Sequence, residues 1–300
     1  QLKSRPDGIP AASDFEIVIR KIPSPDDRQV LIQNIFMSVD PYMRGRMRDD
    51  FQLGAVMEGA TVGKVIESRH PDFQFGDYVT HWKGWREHYL SDGKDLAKVD
   101  PDLAPLSAYL GVLGFPGLTA YGGLLTTGAL QEGESVFVSA ASGAVGSLVG
   151  QIAKIKGCTV VGSAGSDEKV THLIEEFGFD HAFNYKTADI DAELTKALPR
   201  GIDVYFENVG GPQLEAALNH MRMYGRIPLC GMISMYNNGP TIAPGPKNLS
   251  AMIYKRVTMK GLVTPDYIDQ QAQFREDVGQ WIKDGKVKYK ETIHQGIESA

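Results

Sequence analysis

A short glycine-containing segment has the spacing of a phosphate-binding turn. It reads Ala141-Ser142-Gly143-Ala144-Val145-Gly146 and matches the pattern G-x-G-x-x-G, with alanine in the first glycine place. The apolar run SVFVSA precedes it and the helical pattern LVGQIAKIKG follows it. In such a turn small residues let the backbone approach a pyrophosphate, and N–H groups at the start of the helix face the phosphate oxygens. The segment predicts dinucleotide binding; the alternative is a plain strand-to-helix turn.

Residues at the end of the next predicted strand favour NADP over NAD. NAD-binding folds place an acidic residue there, about 20 residues after the glycine turn, to hold the ribose 2′-hydroxyl. Here the strand ends in Ser163-Ala164-Gly165-Ser166, and Asp167 and Glu168 follow in the first turn of a helix, where acids suit the helix dipole. Lys169 comes next and could pair with a 2′-phosphate. The alternative for Lys169 is a solvated surface lysine.

The cysteines and histidines form no metal-binding pattern. Catalytic zinc takes converging Cys, His or carboxylate ligands. Cys158 and Cys230 lie in apolar runs that we predict to be buried strands, and the seven histidines are scattered along the chain. We therefore predict chemistry without a metal. Two cysteines are also too few for a disulfide framework, which favours a reducing, cytoplasmic compartment.

Composition and charge argue against two classes of partner. The net charge of −6, with 31 Lys and Arg residues, provides no basic excess of the kind that nucleic-acid binding needs. No apolar run approaches the roughly 18 residues that suggest a membrane span. The first residues, QLKSRPDGIP, lack the apolar region of a signal peptide. We expect neither a nucleic-acid partner nor a membrane.

Two patterns of elements divide the chain. Residues 1–111 carry short strand-like runs broken by Gly, Pro and Asp, which predicts an irregular β domain. Residues 112–284 alternate strands with helices, which predicts a parallel sheet and an α/β fold. A helix is predicted over residues 270–284, ending at Gly285, after which residues 285–300 return to the first domain. The predicted strands of the second domain are SVFVSA, CTVVGSA, HAFNY, GIDVYFENVG, GRIPLCGM and VTMKGLV.

Several segments together resemble a known family. The chain is similar to the zinc-free medium-chain reductases of the leukotriene B4 dehydrogenase and prostaglandin/alkenal reductase group, and within it to bacterial curcumin reductases. The resemblance implies a Rossmann-type doubly wound parallel-sheet domain and a GroES-like, mostly-β catalytic domain. It also implies NADPH-dependent reduction of a C=C bond conjugated to a carbonyl. The matching segments are SVDPYMRGRM (38–47), GVLGFPGLTAYGGL (111–124), AASGAVGSLVGQIAK (140–154), GSDEKV (165–170), GFDHAFNY (178–185), GIDVYFENVGG (201–211) and LCGMISMYN (229–237).

The resemblance implies which residues bind cofactor and substrate. Those expected at the pyrophosphate and 2′-phosphate of NADPH are Gly143, Ala144, Val145, Gly146, Gly165, Ser166, Lys169 and Tyr185. Those expected at the ribose and nicotinamide are Asn208, Cys230, Gly231, Met232, Ile233, Ser234 and Tyr236, with Thr119, Leu262 and Val263 nearby. Tyr42 and Tyr236 would face the substrate, a small conjugated carbonyl compound.

Two tyrosines are the candidates for catalysis. When an enone accepts hydride at its β-carbon, negative charge builds on the carbonyl oxygen and must be stabilised. Without a metal, the donor would be a tyrosine or the ribose hydroxyl of the cofactor. Tyr236 follows an apolar strand, near the edge where ligands bind in α/β sheets, and it or water would protonate the α-carbon. The alternatives are a packing role for Tyr236 and a buried core position for Tyr42.

Nearby aromatic and basic residues allow two interpretations each. Trp82 and Trp85 could form an aromatic wall for a flat substrate, or they could pack in the core. Arg44 and Arg46 could bind phosphate, or they could pair with Asp40 or Glu58.

Two other functions share the cofactor features, namely an NADPH-dependent quinone or carbonyl reductase and a non-catalytic NADPH-binding sensor. Tyr236, Asn208 and Lys169 argue against the sensor. We also expect a homodimer, from the family resemblance and because VTMKGLV (257–263) is predicted to be a late strand at a sheet edge. An unpaired apolar edge is an aggregation hazard unless a partner covers it.

Overall fold

The chain folds into two compact units. The computed structural model describes residues 1–48, 51–238 and 244–300. The first unit contains residues 1–48, 51–110, 236–238 and 291–300, and the second contains 111–235 and 244–290. The chain thus returns to the first unit at Glu291 rather than at residue 285, because Lys288 exchanges backbone hydrogen bonds of 2.7 and 2.9 Å with the Gln151 side chain of the second unit. The catalytic and cofactor-binding roles of these units remain predictions.

The first unit is built on an antiparallel sheet in the order β4-β1-β2-β3-β5. Apolar side chains on its inner face form a core of Val30, Ile32, Val65, Phe73 and Val79. A short helix, α1 (Tyr42–Arg46), follows the first strand. The strands are β1 (Val30–Met37), β2 (Thr61–Ser68), β3 (Tyr78–His81), β4 (His88–Ser91) and β5 (Ala97–Lys98).

Helix α1 rests on a separate apolar cluster. Met43 and Met47 are buried there against Leu2, Phe51 and Met57. Five residues are too few for a helix to be stable alone. Packing of the two methionines therefore holds the segment that carries Tyr42 and Arg44.

The second unit is built on a six-stranded parallel sheet in the order β11-β10-β9-β6-β7-β8. All six predicted strands are present, and the predicted α/β class is confirmed. Strand β11 lies at the edge of the sheet, as the sequence predicts. The strands are β6 (Ser135–Val138), β7 (Thr159–Ala164), β8 (His181–Asn184), β9 (Ile202–Phe206), β10 (Met221–Leu229) and β11 (Thr258–Gly261).

Helices connect these strands and cover the sheet. They are α2 (Phe115–Gly122), α3 (Ala144–Ile155), α4 (Asp167–Glu175), α5 (Ile190–Ala197), α6 (Gly211–His220), α7 (Ser250–Lys255) and α8 (Gln271–Lys283). A π-helical turn, Gly123–Thr127, extends α2. Helix α8 ends as predicted at Gly285, whose φ of +70° suits a left-handed residue after a helix. None of the helices in the described residues is long and apolar enough to span a bilayer.

The central strands read as continuous apolar runs because both faces of the sheet are covered. Phe137 is fully buried between Phe183 and Tyr205, with ring centroids 6.0 and 4.9 Å away. The carboxyl ends of all six parallel strands meet at one edge of the sheet, where α/β folds bind ligands. Five of the predicted cofactor segments follow strands at this edge, namely the glycine turn, Gly165–Ser166, Asn208, Cys230 and Leu262.

Candidate functional site

The predicted glycine turn lies between β6 and α3 and is tightly packed. Ala140, just before it, adopts φ +47°, a left-handed conformation that costs a non-glycine residue energy. A side chain on Gly146 would lie 2.6 Å from the Ala140 carbonyl oxygen and 2.8 Å from Ala141 Cα. Both of these atoms belong to the backbone, so only glycine fits. The third glycine of the pattern is therefore required for the approach of helix to strand.

Helix α3 presents its first turn at this point. Gly143 is the residue before the helix and is exposed, as is Ala144, whereas Val145 is partly buried. The first N–H groups of a helix have no acceptor within the helix, and together with the helix dipole they favour an anion. The turn fits a dinucleotide pyrophosphate, because small residues and a helix N-terminus coincide there.

A second group of residues gathers where β7 and β8 end. Ser166 caps α4, with its hydroxyl accepting a hydrogen bond from the Lys169 N–H at 3.4 Å. A side chain on Gly165 would lie 3.4 Å from both Lys186 Cε and the Tyr185 hydroxyl. Lys169 and Lys186 are exposed. Two lysines and a tyrosine hydroxyl thus lie on elements around Gly165, a combination suited to a phosphate.

The acid closest to this group is already engaged. Asp167 accepts a hydrogen bond of 2.8 Å from the Asn184 side-chain amide and lies in the first turn of α4. Its carboxylate thus already has a hydrogen-bond partner within the protein. The strand β7 itself ends in Ser163 and Ala164, so the acidic ribose ligand typical of NAD-binding folds is replaced here by small residues.

A buried polar network joins the ends of β6 and β9. The Ser139 hydroxyl donates to Glu207 Oε1 at 2.8 Å, and the same oxygen accepts from the Val209 N–H at 2.6 Å. The Asn208 N–H donates to the Ser139 hydroxyl at 2.9 Å, and its side-chain amide donates to the Ser139 carbonyl at 2.8 Å. Ser139 and Glu207 are completely buried. The network fixes Asn208, one of the predicted cofactor residues, in a single orientation.

The loop after β10 is anchored to the same network. The N–H groups of Cys230 and Gly231 donate to the Glu207 carbonyl at 2.9 and 3.1 Å. Burial, and then the Glu207 charge, raises the pKa of the Cys230 thiol to about 12, so the thiol stays protonated. Both cysteines lie just outside the strands predicted to contain them. Cys158 precedes β7 and Cys230 follows β10 by one residue, because the strand pairing begins and ends at their neighbours.

The next residues of this loop follow the end of β9. The N–H groups of Ile233 and Ser234 donate to the carbonyls of Asn208 and Val209 at 3.2 and 3.1 Å. Met232 packs against Gly210, whose φ of +76° favours glycine. The predicted ribose and nicotinamide stretch therefore runs beside Asn208.

Thr119 lies close to the segment that contains Leu262 and Val263; their predicted place near the ribose and nicotinamide stays a prediction. The Thr119 hydroxyl lies 2.6 Å from that of Thr264, which follows Val263. Leu262 is buried and its N–H donates to the Leu229 carbonyl at 3.2 Å, next to Cys230. Val263 is 60% exposed, so its side chain is accessible to a ligand.

Tyr42 and Trp82 lie together on the first unit. Their ring centroids are 6.1 Å apart, and Tyr42 is 42% exposed, which excludes the buried core position. Burial, and then the charges of Asp40 and Glu58, raises the pKa of Tyr42. The hydroxyl therefore stays protonated at neutral pH and can donate a hydrogen bond. Trp85 differs from Trp82, because it packs on Phe15 at 5.6 Å beside the α1 cluster, and its N–H donates to the Ser38 carbonyl.

The arginines of α1 have separate partners. Arg46 pairs with Glu58 at 3.1 Å, one of the two interpretations that its sequence position allows. Arg44 is buried and donates to the Asn237 side chain at 3.0 Å. Arg48, two residues beyond α1, donates to the Tyr236 carbonyl at 3.2 Å. The predicted catalytic residue Tyr236 therefore belongs to the first unit, in a segment bound by two arginines.

Comparison with known proteins establishes the family. A family model described as an N-terminal domain of oxidoreductase matches residues 1–99, and one described as zinc-binding dehydrogenase matches residues 144–284. NADPH-dependent curcumin reductase from Escherichia coli is 43% identical, and 2-alkenal reductase (NADP⁺-dependent) from Nicotiana tabacum is 48% identical. Each alignment covers 100% of this chain and 90% of the relative. CurA from Vibrio vulnificus, solved in complex with NADPH, is 40% identical with a TM-score of 0.93, over 99% of this chain and 91% of that protein.

The chain belongs to the medium-chain dehydrogenase/reductase family. The resemblance and the fold class that the sequence predicts are both confirmed. In the residues that the structure describes for this medium-chain reductase, no three His, Cys, Asp or Glu side chains come together as a metal-binding group. The zinc named in the family description thus has no matching ligand set in 1–48, 51–238 and 244–300, and a metal-free reaction stays a prediction.

Four residues of this medium-chain reductase were not predicted as site residues. Ser139 and Glu207 form the strand-end network, and Lys186 lies beside Gly165. Arg44 was considered for phosphate or a salt bridge, but it binds Asn237. A sequence signal existed only for Lys186, which directly follows Tyr185 at the end of a predicted strand.

Proposed function

We propose that this chain is an NADPH-dependent reductase of C=C bonds conjugated to a carbonyl group. The observation that carries the proposal is 43–48% identity, over the whole chain, to reductases named for curcumin and for 2-alkenals. A 2-alkenal is by definition an aldehyde with a conjugated C=C bond. The similarity to CurA, solved with NADPH, supports the same cofactor here. The glycine turn supports it independently, because Gly146 lets the helix start pack closely on the strand end, as in folds that bind a dinucleotide pyrophosphate there.

Cofactor binding is assigned to the carboxyl edge of the parallel sheet. Gly143–Gly146 would hold the pyrophosphate, and Gly165, Ser166, Lys169 and Tyr185 the 2′-phosphate end. Asn208, Cys230–Ser234, Thr119, Leu262 and Val263 would line the ribose and nicotinamide. When bound, NADPH supplies a hydride to the β-carbon of the substrate.

The tyrosines are assigned to the substrate carbonyl. Hydride addition leaves an enolate, and a hydroxyl donor beside its oxygen lowers the barrier. Tyr236 would supply that hydroxyl, either directly or by orienting the ribose hydroxyl, and Tyr42 is the second candidate. The raised pKa of Tyr42 keeps its proton in place. Trp82, whose ring packs at a tilt beside that of Tyr42, would contact the flat substrate.

The function is tested by NADPH oxidation against a 2-alkenal, a conjugated ketone, a quinone and a saturated aldehyde, each with and without EDTA. We expect turnover of the first two, a saturated carbonyl product and no effect of the chelator. An allylic alcohol product, or turnover of the quinone alone, would favour the carbonyl or quinone reductase. NADPH binding without any turnover would favour the sensor. Loss of activity that zinc restores would rule out the metal-free reaction.

The 2′-phosphate assignment predicts a cofactor-specific defect. Lys169→Ala and Lys186→Ala should each raise KM for NADPH about tenfold and leave NADH kinetics unchanged, because only NADPH carries the 2′-phosphate and a charged hydrogen bond contributes about 1.5–3 kcal/mol. Lys196→Ala is the matched control, since Lys196 is exposed at the carboxyl end of α5, opposite the cofactor edge. Equal losses with both cofactors would contradict the assignment.

The role of Tyr236 predicts a defect in kcat. Loss of one oxyanion donor typically costs about 10²–10³ in kcat. A tyrosine that acts with the ribose hydroxyl should cost less, so we expect Tyr236→Phe to lower kcat about ten- to a hundredfold with little change in NADPH affinity. Steady-state kinetics and fluorescence titration with NADPH measure the two effects. A wild-type kcat in Tyr236→Phe would indicate that Tyr236 has only a packing role, and Tyr42 would then be the candidate donor.

We also propose that the chain forms a homodimer in the cytoplasm. Strand β11 pairs only with β10 in the described sheet. Met223, Tyr224, Ile253 and Tyr254, on β10 and α7 next to it, are all more than half exposed. Pairing of two β11 edges would cover both features. Light scattering at micromolar concentration should give twice the chain mass of 32.8 kDa, and a single-chain mass would refute the dimer.

The cytoplasmic location is tested by cell fractionation. Recovery of the protein in a secreted or membrane fraction would refute it.

A further inference from the structure

Arg44 is a buried arginine that binds neutral oxygens. Its exposed fraction is 9%. Nε donates to Asn237 Oδ1 at 3.0 Å and to the Gly8 carbonyl at 3.2 Å, and Nη2 donates to the carbonyls of Gly8 at 2.9 Å and Pro6 at 3.3 Å. No carboxylate in residues 1–48, 51–238 and 244–300 forms an ion pair with it. Asp14 acts on Arg44 only at a distance: hydrogen bonds from the Ala11 N–H and the Ser4 hydroxyl, and then the charge of Arg44, lower the pKa of Asp14. Burial of a guanidinium is unfavourable, so the hydrogen bonds it makes to neutral oxygens must compensate.

One of these contacts reaches a distant part of the chain. Asn237 lies 193 residues after Arg44 and directly follows Tyr236. Arg48 adds a second contact, because its guanidinium donates to the Tyr236 carbonyl at 3.2 Å. Two arginines, spaced four residues apart, therefore hold two adjacent residues. The side chain of Asn237 and the carbonyl of Tyr236 are both restrained, and the Tyr236 phenol is attached to the Cα atom next to that carbonyl.

The segment that carries Arg44 and Arg48 is itself held in place. Met43, beside Arg44, and Met47, beside Arg48, are both buried in the α1 cluster. Arg5 donates to the carbonyls of Arg48 and Phe51, which ties the end of the segment to the N-terminal chain. The arginines therefore project from a rigid support, which a positioned reactive group requires.

We propose that Arg44 is a positioning residue for Tyr236, holding the Tyr236–Asn237 segment on α1 so that the phenol hydroxyl keeps one place during the reaction. The inference rests on the proposed role of Tyr236. The guanidinium suits this task because its planar fork donates in several fixed directions, here to Asn237, Gly8 and Pro6 at once. A lysine keeps the charge but cannot reproduce that geometry. Small displacements of a reactive group are costly in rate, even when binding is unaffected.

The variants Arg44→Met, Arg44→Lys and Asn237→Ala test this proposal. Each should lower kcat for enone reduction about tenfold with KM for NADPH unchanged. Asn237→Ala should disturb the fold least of the three, because Arg44 keeps its carbonyl partners at Gly8 and Pro6. Arg46→Met is the matched control. It removes an arginine from the same helix whose side chain is half exposed and bound to Glu58, and it should keep wild-type kcat.

A structural role is separated from a positioning role by combining variants with Tyr236→Phe. If Arg44 acts through the Tyr236 hydroxyl, Arg44→Met and Asn237→Ala should lower kcat less than twofold further in the Tyr236→Phe background. The same tenfold loss in both backgrounds would overturn the proposal, as would a wild-type kcat in Asn237→Ala. Thermal unfolding followed by circular dichroism identifies a variant that fails to fold. If an Arg44 variant fails to fold, the kcat of Asn237→Ala in the two backgrounds decides whether the proposal holds. A wild-type kcat in the single variant Tyr236→Phe would refute the proposed role of Tyr236. A lowered kcat in Tyr236→Phe, together with a wild-type kcat in the Arg44 and Asn237 variants, would refute only the positioning role of Arg44.

Discussion

The hydrogen bond from the Ser139 hydroxyl to the buried Glu207 carboxylate links the loops at the carboxyl edge of the parallel sheet. It joins the end of β6, where the glycine turn begins, to the end of β9, where Asn208 begins the next loop. The carbonyl of Glu207 also anchors Cys230 and Gly231 after β10. Loops are usually the mobile part of such a fold, yet three of them share one buried polar centre here. Because a buried polar group is costly when unpaired, the three loops must keep their mutual positions.

The first unit also holds its candidate reactive groups in place, but through different contacts. Its candidate reactive groups lie on a five-residue helix and on a short return of the chain described at residues 236–238, neither of which is stable alone. Buried methionines hold the helix from beneath, and the buried guanidinium of Arg44 holds the Tyr236–Asn237 segment to it. Apolar packing thus supplies the support and directional hydrogen bonds supply the orientation. Charge contributes little, since the ion pair that α1 forms among the described residues, Arg46 with Glu58, is half exposed and contributes about 0–1 kcal/mol.

Prediction from sequence was most successful where a local pattern corresponds to one structure. Parallel strands covered on both faces read as apolar runs, so all six strands of the second unit were found. The glycine turn was found because its small residues and its position between strand and helix are both local features. The end of α8 at Gly285 follows from a left-handed residue that glycine favours. The domain return was placed too early, because nothing local reveals that Lys288 binds Gln151.

The sequence by itself determined the α/β class, the order of elements, the glycine turn between strand and helix, and the β11 edge. These follow from residue type and spacing within about 20 residues, the range over which side-chain periodicity and turn chemistry act. The family follows from the resemblance of several segments along the chain. Only the tertiary structure decided that Trp85 packs against the α1 cluster while Trp82 packs beside Tyr42, that Lys186 lies beside Gly165, and that Arg44 donates to Asn237. Such contacts join residues far apart in the chain. They depend on strand order and on the direction in which each side chain leaves its element, and no local pattern encodes either.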